Sequence, residues 1–117
     1  MNNDRFKFRA WKNGKIVYGI EGHTIEYNEL SGREGDVIDL SMWIKYYPVM
    51  QSTGLLDKNG KLIFEGDIVR TNGMVFEIWH EGALYYMIGG GMSMIFEPAE
   101  AMDSEVIGNI YENLELR

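Results

Sequence analysis

The stretch Met50–Arg70, MQSTGLLDKNGKLIFEGDIVR, carries the densest turn punctuation in the chain. Asn59-Gly60 predicts a two-residue hairpin turn of type I′, which needs positive φ at both central residues. Gly66-Asp67 predicts a second turn, and Ile68-Val69 launches a β-branched strand behind it. Between the turns lies the short run Lys61–Glu65, KLIFE. This alternation of brief apolar runs and tight turns sets an architecture. It supplies no reactive group.

Downstream the same pattern continues. Ile68–Thr71 leads to the turn Asn72-Gly73 and then to Met74–Trp79. His80-Glu81-Gly82 turns into Ala83–Ile88, and Gly89-Gly90-Gly91, read as a flexible hairpin tip, turns into Met92–Glu97. Pro98–Met102 predicts one helical turn, with proline at the first position, where a missing N–H costs nothing. Val106–Tyr111 predicts a last strand. Strands of about five residues at a spacing of about ten indicate a small antiparallel barrel or sandwich. A helical turn ahead of the last strand is the arrangement of SH3-type barrels, and closure would leave few exposed edges.

Upstream, Arg5–Trp11 alternates, with Phe6, Phe8 and Ala10 on one face and cations on the other. Lys12–Lys15 predicts a tight turn and Ile16–Tyr18 the returning strand. In Gly19–Asp36, His23–Tyr27 reads as a short strand and the remainder as loop. Val37–Met50 is rich in aromatic and β-branched residues, which suggests one or two strands. A helical turn around Leu40–Ile44 is the alternative, and Pro48 argues against a helix running through it. The expected fold class is therefore mainly β. A small SH3-type barrel occupies 51–117, preceded over 1–50 by a β-hairpin and an irregular or β connecting region. The two parts are able to behave as one folding unit.

A chain of 117 residues suits one domain, or one domain with an appendage. With 45% hydrophobic and 25% charged residues it reads as globular rather than disordered. No apolar run reaches the roughly 18 residues of a membrane span. The polar start Met1-Asn2-Asn3-Asp4 does not read as a signal peptide, so a cytoplasmic location is expected. Without cysteine there is no disulfide, thiolate zinc site or thiol nucleophile. The net charge of −7 is unevenly spread. Residues 1–70 hold ten Lys+Arg and ten Asp+Glu, whereas residues 71–117 hold Arg117 alone against eight acids. The first reading is a solvated basic hairpin and a solvated acidic sheet, because single exposed ion pairs contribute only about 0–1 kcal/mol; the alternative is that the two surfaces attract each other, within or between subunits.

Candidate chemistry is sparse. His23 and His80 are the only histidines, and His23-x-x-Glu26 falls short of the three or four ligands of a zinc site. Gly89-Gly90-Gly91 lacks the Lys-Ser/Thr and the helix of a phosphate loop. Asp36 with Asp39, and Asp57 with Asp67, each have a turn or cap role that explains them before acid–base catalysis does. No serine or threonine sits in a nucleophile elbow. No catalytic, cofactor or metal residue is expected. Eight methionines serve either as gap-fillers of a small core or as an adaptable contact surface. Tyr46-Tyr47 and Tyr85-Tyr86 each place one ring on either face of a strand, one buried and one exposed.

The segments Val49–Leu55, Asp57–Lys61 and Phe64–Val69, the ending Glu105–Leu116 and the start Phe6–Trp11 resemble the YopX family of phage and prophage proteins. The resemblance covers both ends and the centre but not residues 19–48. One departure is Leu114, where members usually carry proline. The resemblance implies a mostly-β chain with a C-terminal SH3-type barrel, and a home in phage or prophage genomes of low-GC Gram-positive bacteria. It brings no established activity and no catalytic residues. The expected function is a non-enzymatic interaction or scaffold module that self-associates as a homo-oligomer or binds a protein partner. The alternative is a single-stranded nucleic-acid binder acting through Arg5, Lys7, Arg9 and Trp11, which a strand spacing of about 7 Å would array along a backbone.

Overall fold

A computed structural model of the chain describes residues 6–21, 24–28, 33–38 and 40–116, with only the backbone described at 24–28 and 33–38. Two compact units result: residues 7–50, and residues 51–117 together with 1–6 where described.

In the first unit, β1 (Phe8–Lys12) and β2 (Lys15–Tyr18) form a hairpin with Lys12 opposite Lys15. Asn13 and Gly14 between them have φ of 50° and 85°, the paired positive values of a type I′ turn. β3 (Thr24–Asn28) and β4 (Arg33–Ile38) make a second hairpin. The polar run of β4 reads as loop in sequence, yet pairing with β3 draws it into a strand. α1 (Leu40–Tyr46) is a helix, not a strand. Its aromatic residues still bury a face, with Trp43 as the buried one. Pro48 lies just past its end, where a missing N–H interrupts nothing. The Trp11 N–H donates to the Pro48 carbonyl at 3.0 Å, tying the segment after the helix to β1. Among the described side chains, Ala10, Ile20 and Trp43 form a core cluster of this unit.

The second unit starts within β5 (Val49–Leu56) and continues through β6 (Leu62–Phe64). The turn between them differs from expectation. Asn59 is not among the positive-φ residues, Gly60 has φ of 81°, and the Gly60 N–H donates to the Asp57 carbonyl. A three-residue loop with a left-handed glycine replaces the two-residue type I′ turn. Asp57 is the cause: its Oδ1 accepts the N–H groups of both Asn59 and Lys61.

β7 (Asp67–Thr71), β8 (Met74–Glu81), β9 (Leu84–Gly89) and β10 (Met92–Ile95) then run as an antiparallel meander. The helical turn α2 (Pro98–Met102) precedes β11 (Ser104–Asn109), which returns beside β7. The sheet order β10-β9-β8-β7-β11, with a helical turn before the last strand, is SH3-type. The five strands curl as a half-barrel, and among the described residues β10 and β11 are its outermost strands. Ile63, Val69, Phe76, Ile78, Met87, Phe96 and Ala101 fill the core. The Gly89–Gly91 turn is more tightly specified than a flexible tip. Gly90 and Gly91 hold φ of 58° and 78°, and a Cβ on Gly89 would collide with the Val75 carbonyl. The last strand ends at Asn109, where its Oδ1 accepts the Tyr111 and Glu112 N–H groups and turns the chain. The tail closes on a 3-10 turn, Leu114–Leu116.

Candidate functional site

The expected cationic row is broken at its centre. Lys7 is exposed and Trp11 half-buried, but Arg9 is only 2% exposed. The guanidinium of Arg9 lies 6.0 Å from the ring of Tyr18, its cross-strand partner. Arg9 and Ala10, neighbours of opposite parity on β1, are both covered. Lys12, on the same hairpin, has its ammonium 5.7 Å from the Trp43 ring and 5.9 Å from that of Tyr47. Arg5, His23 and Asp39 lie outside the described residues, as do the side chains of Glu26 and Asp36.

The expected carboxylate pair Asp57 and Asp67 is structural. Asp57 is 6% exposed and receives three backbone N–H bonds, from Asn59, Lys61 and, at 2.9 Å, Val106. Burial alone would raise its pKa. The donors from Val106, Lys61 and Asn59, together with the Lys61 charge, outweigh burial and hold it below the usual aspartate value. Asp67, also buried, accepts the Phe64 N–H at 2.8 Å. Tyr85 donates its hydroxyl to the Ser52 carbonyl at 2.9 Å, and the His80 ring stacks on it with centroids 4.3 Å apart. Burial, assisted by the charge of Glu65, pushes the Tyr85 pKa up to about 12. It is therefore a hydrogen-bond donor at neutral pH and not a base. Among the described residues no group of three or more His, Asp or Glu side chains is placed to hold a metal ion.

What the structure does assemble is an apolar surface. In β8 the inward positions are Phe76 and Ile78, so Val75, Glu77 and Trp79 point outward. Register then sets Trp79 opposite Tyr86, and Tyr86 opposite Ile95. The result is one cross-strand row over three strands, flanked by exposed Ile88, Val75 and Leu84. Trp79 is 40% and Ile95 44% exposed. The indole N–H of Trp79 donates to Glu77 Oε1 at 3.1 Å, which orients the ring on the face. Sequence reasoning missed this row. The signal was present in Met74–Trp79, where apolar residues occupy both parities of a strand whose second face should be wet.

The methionines divide between the two roles considered for them. Met50 and Met87 are buried gap-fillers. Met74, Met92 and Met94 are exposed, and with Phe76, Met87 and Ala99 they line a groove of about 290 Å³. Glu100 and Asp103 line the same groove. The tyrosine pairs do not split into buried and exposed members: Tyr46 is exposed on α1, and Tyr47, Tyr85 and Tyr86 are all half-buried.

No curated protein matches the chain. Among solved structures, the crystal structure of protein EF1440 from Enterococcus faecalis is similar, with 27% identity and a TM-score of 0.67. The match covers 94% of this chain and 96% of that one. The family model described as YopX protein matches residues 7–116, nearly the whole chain. The order of turns, the helical turn before the last strand and this match agree, and the chain belongs to the YopX family.

Proposed function

We propose that the chain is a non-enzymatic interaction module of phage or prophage type, which self-associates or engages a protein partner through the outer face of its five-stranded sheet. The row Trp79–Tyr86–Ile95 carries this reading. A contiguous apolar face centred on tryptophan and tyrosine, with carboxylates such as Glu77 and Glu81 beside it, has the composition of a protein-binding patch. Two sheets packing through such faces leave their edges open. The nucleic-acid reading draws less support, because Arg9 is buried and residues 71–116 contain no Lys or Arg to meet phosphates.

Light scattering of the full chain at low and high salt tests the proposal. Association above the 13.5 kDa monomer is expected, persisting at high salt because the contact is apolar. Trp79→Glu, an exposed position, is expected to return the protein to monomer without lowering its melting temperature appreciably. A wild type that stays strictly monomeric at high protein concentration would sink the self-association arm.

A further inference from the structure

The five-stranded sheet has two edges, and they are treated differently. The β11 edge is covered. The Lys58 N–H donates to the Ser104 carbonyl at 2.9 Å, and the Val106 N–H donates to Asp57 Oδ2 at 2.9 Å. The loop after β5 thereby caps that side. The β10 edge has β9 as its single neighbour among the described residues. Its hydrogen bonding follows from the turn. Gly90 and Gly91 make a two-residue loop closed by Gly89 opposite Met92, and the Phe96 N–H donates to the Tyr85 carbonyl at 2.8 Å. Residues 92, 94 and 96 therefore direct their backbone bonds to β9, and Ser93 and Ile95 direct theirs away from the sheet. Native edges are usually blunted by charge, proline or a bulge. Met92–Ile95 has none of these: the run is MSMI, every residue is exposed, and its pairing shows no register shift.

We propose that the β10 edge accepts an extended, cation-bearing segment of a partner protein as an added strand. This rests on the interaction-module reading and gives it a second contact. Side chains alternate along an added strand, so one set would lie over the methionine groove beside β10. Methionine side chains adapt to differing apolar shapes. The other requirement is charge. Glu97, Glu100 and Asp103 follow β10 directly, Glu100 and Asp103 line the groove, and no Lys or Arg occurs from residue 71 to 116. Alternating apolar and basic residues satisfy both demands. A second copy of this chain fits less well, because edge-to-edge pairing would juxtapose two such acidic sets on chains of net charge −7.

The test uses fluorescence anisotropy of two labelled hexapeptides, one alternating valine with lysine and one alternating valine with glutamate, titrated with the full chain. The lysine peptide is expected to bind saturably and more weakly at high salt, and roughly tenfold more tightly than the glutamate peptide. Ser93→Pro removes one outward N–H without touching a position bonded to β9. It is expected to weaken the lysine peptide roughly tenfold, whereas Ser93→Ala binds as wild type. Asp103→Lys, at an exposed site, is expected to abolish the preference for lysine, and it serves even if Ser93→Pro fails to fold. Absence of saturable lysine-peptide binding, unchanged binding in folded Ser93→Pro, or equal binding of both peptides by the wild type overturns the proposal. So does a dimer in light scattering that Ser93→Pro dissolves, because a second copy then occupies the edge. Failure here with Trp79-dependent association intact leaves the proposed function standing, so the two readings fail separately.

Discussion

The two units of the chain solve the same problem with unequal means. The unit from residue 51 onward packs a cluster of seven buried apolar side chains against a meander whose turns are set by left-handed residues. Asn72-Gly73, with φ of 51° and 79°, and Gly90-Gly91 each fix a register. Among the described side chains, the unit spanning residues 7–50 clusters Ala10, Ile20 and Trp43 under a partly buried fringe. Trp43 is the largest side chain of that cluster. The comparison teaches that a well-set turn does not by itself build a core: Asn13-Gly14 pins the β1–β2 hairpin as Asn72-Gly73 pins β7–β8, and what the unit from residue 51 adds is a run of consecutive hairpins whose inward positions stay aligned.

The largest effect should separate the cores. Phe76→Ala is expected to cost about 3–5 kcal/mol, read as a lower urea midpoint, because it empties the centre of the larger cluster. Trp43→Ala is expected to strip hydrogen-exchange protection from the β1 and β2 amides first. Equal loss of protection in β8 would break the comparison.

A smaller effect sharpens it. Asp57→Ala is expected to cost about 1–3 kcal/mol, since it strands three partly buried backbone donors. The folded-state pKa of Asp57 is depressed, so its contribution is full above the ordinary aspartate pKa and is lost as pH falls through the folded value. Stability curves of wild type and Asp57→Asn should therefore lie apart at neutral pH and converge in acid. A gap that is independent of pH would contradict the charge-based account.

The smallest effect should be the same in both units. Gly60 and Gly19 have φ of 81° and 74°, and an added Cβ meets no atom within 4 Å at either. Gly60→Ala and Gly19→Ala should each cost about 1–2 kcal/mol, from backbone conformation alone. A markedly larger cost at one of them, in thermal melts, would show that its unit depends on that turn beyond local geometry.

These contrasts also mark how far the sequence is legible. Asn13-Gly14, Asn72-Gly73 and Pro98–Met102 announce their structures because the cause is local: positive φ, or a proline at a helix start. Asn59-Gly60 misleads, because a carboxylate two residues earlier reorganises the turn. Arg33–Ile38 misleads in the opposite direction, since Glu34, Gly35 and Asp36 have poor strand propensity and only pairing with β3 makes them one. Leu40–Tyr46 is ambiguous because a short apolar run suits helix and strand alike. The row Trp79–Tyr86–Ile95 is legible only after register is known, as three residues on three strands share no spacing in sequence. The burial of Arg9 is hidden too, since strand alternation alone would put it on the opposite face from buried Ala10.

The carboxylate of Asp57 reaches an amide 49 positions further along the chain. During synthesis that partner leaves the ribosome late, after the meander has emerged. Until then the loop at 57–61 has an acceptor without its farthest donor, and the β7 side of the nascent sheet lacks its cover. Sealing this unit is thus a late event of biogenesis, and a stalled or prematurely released chain would present that naked flank to chaperones and proteases.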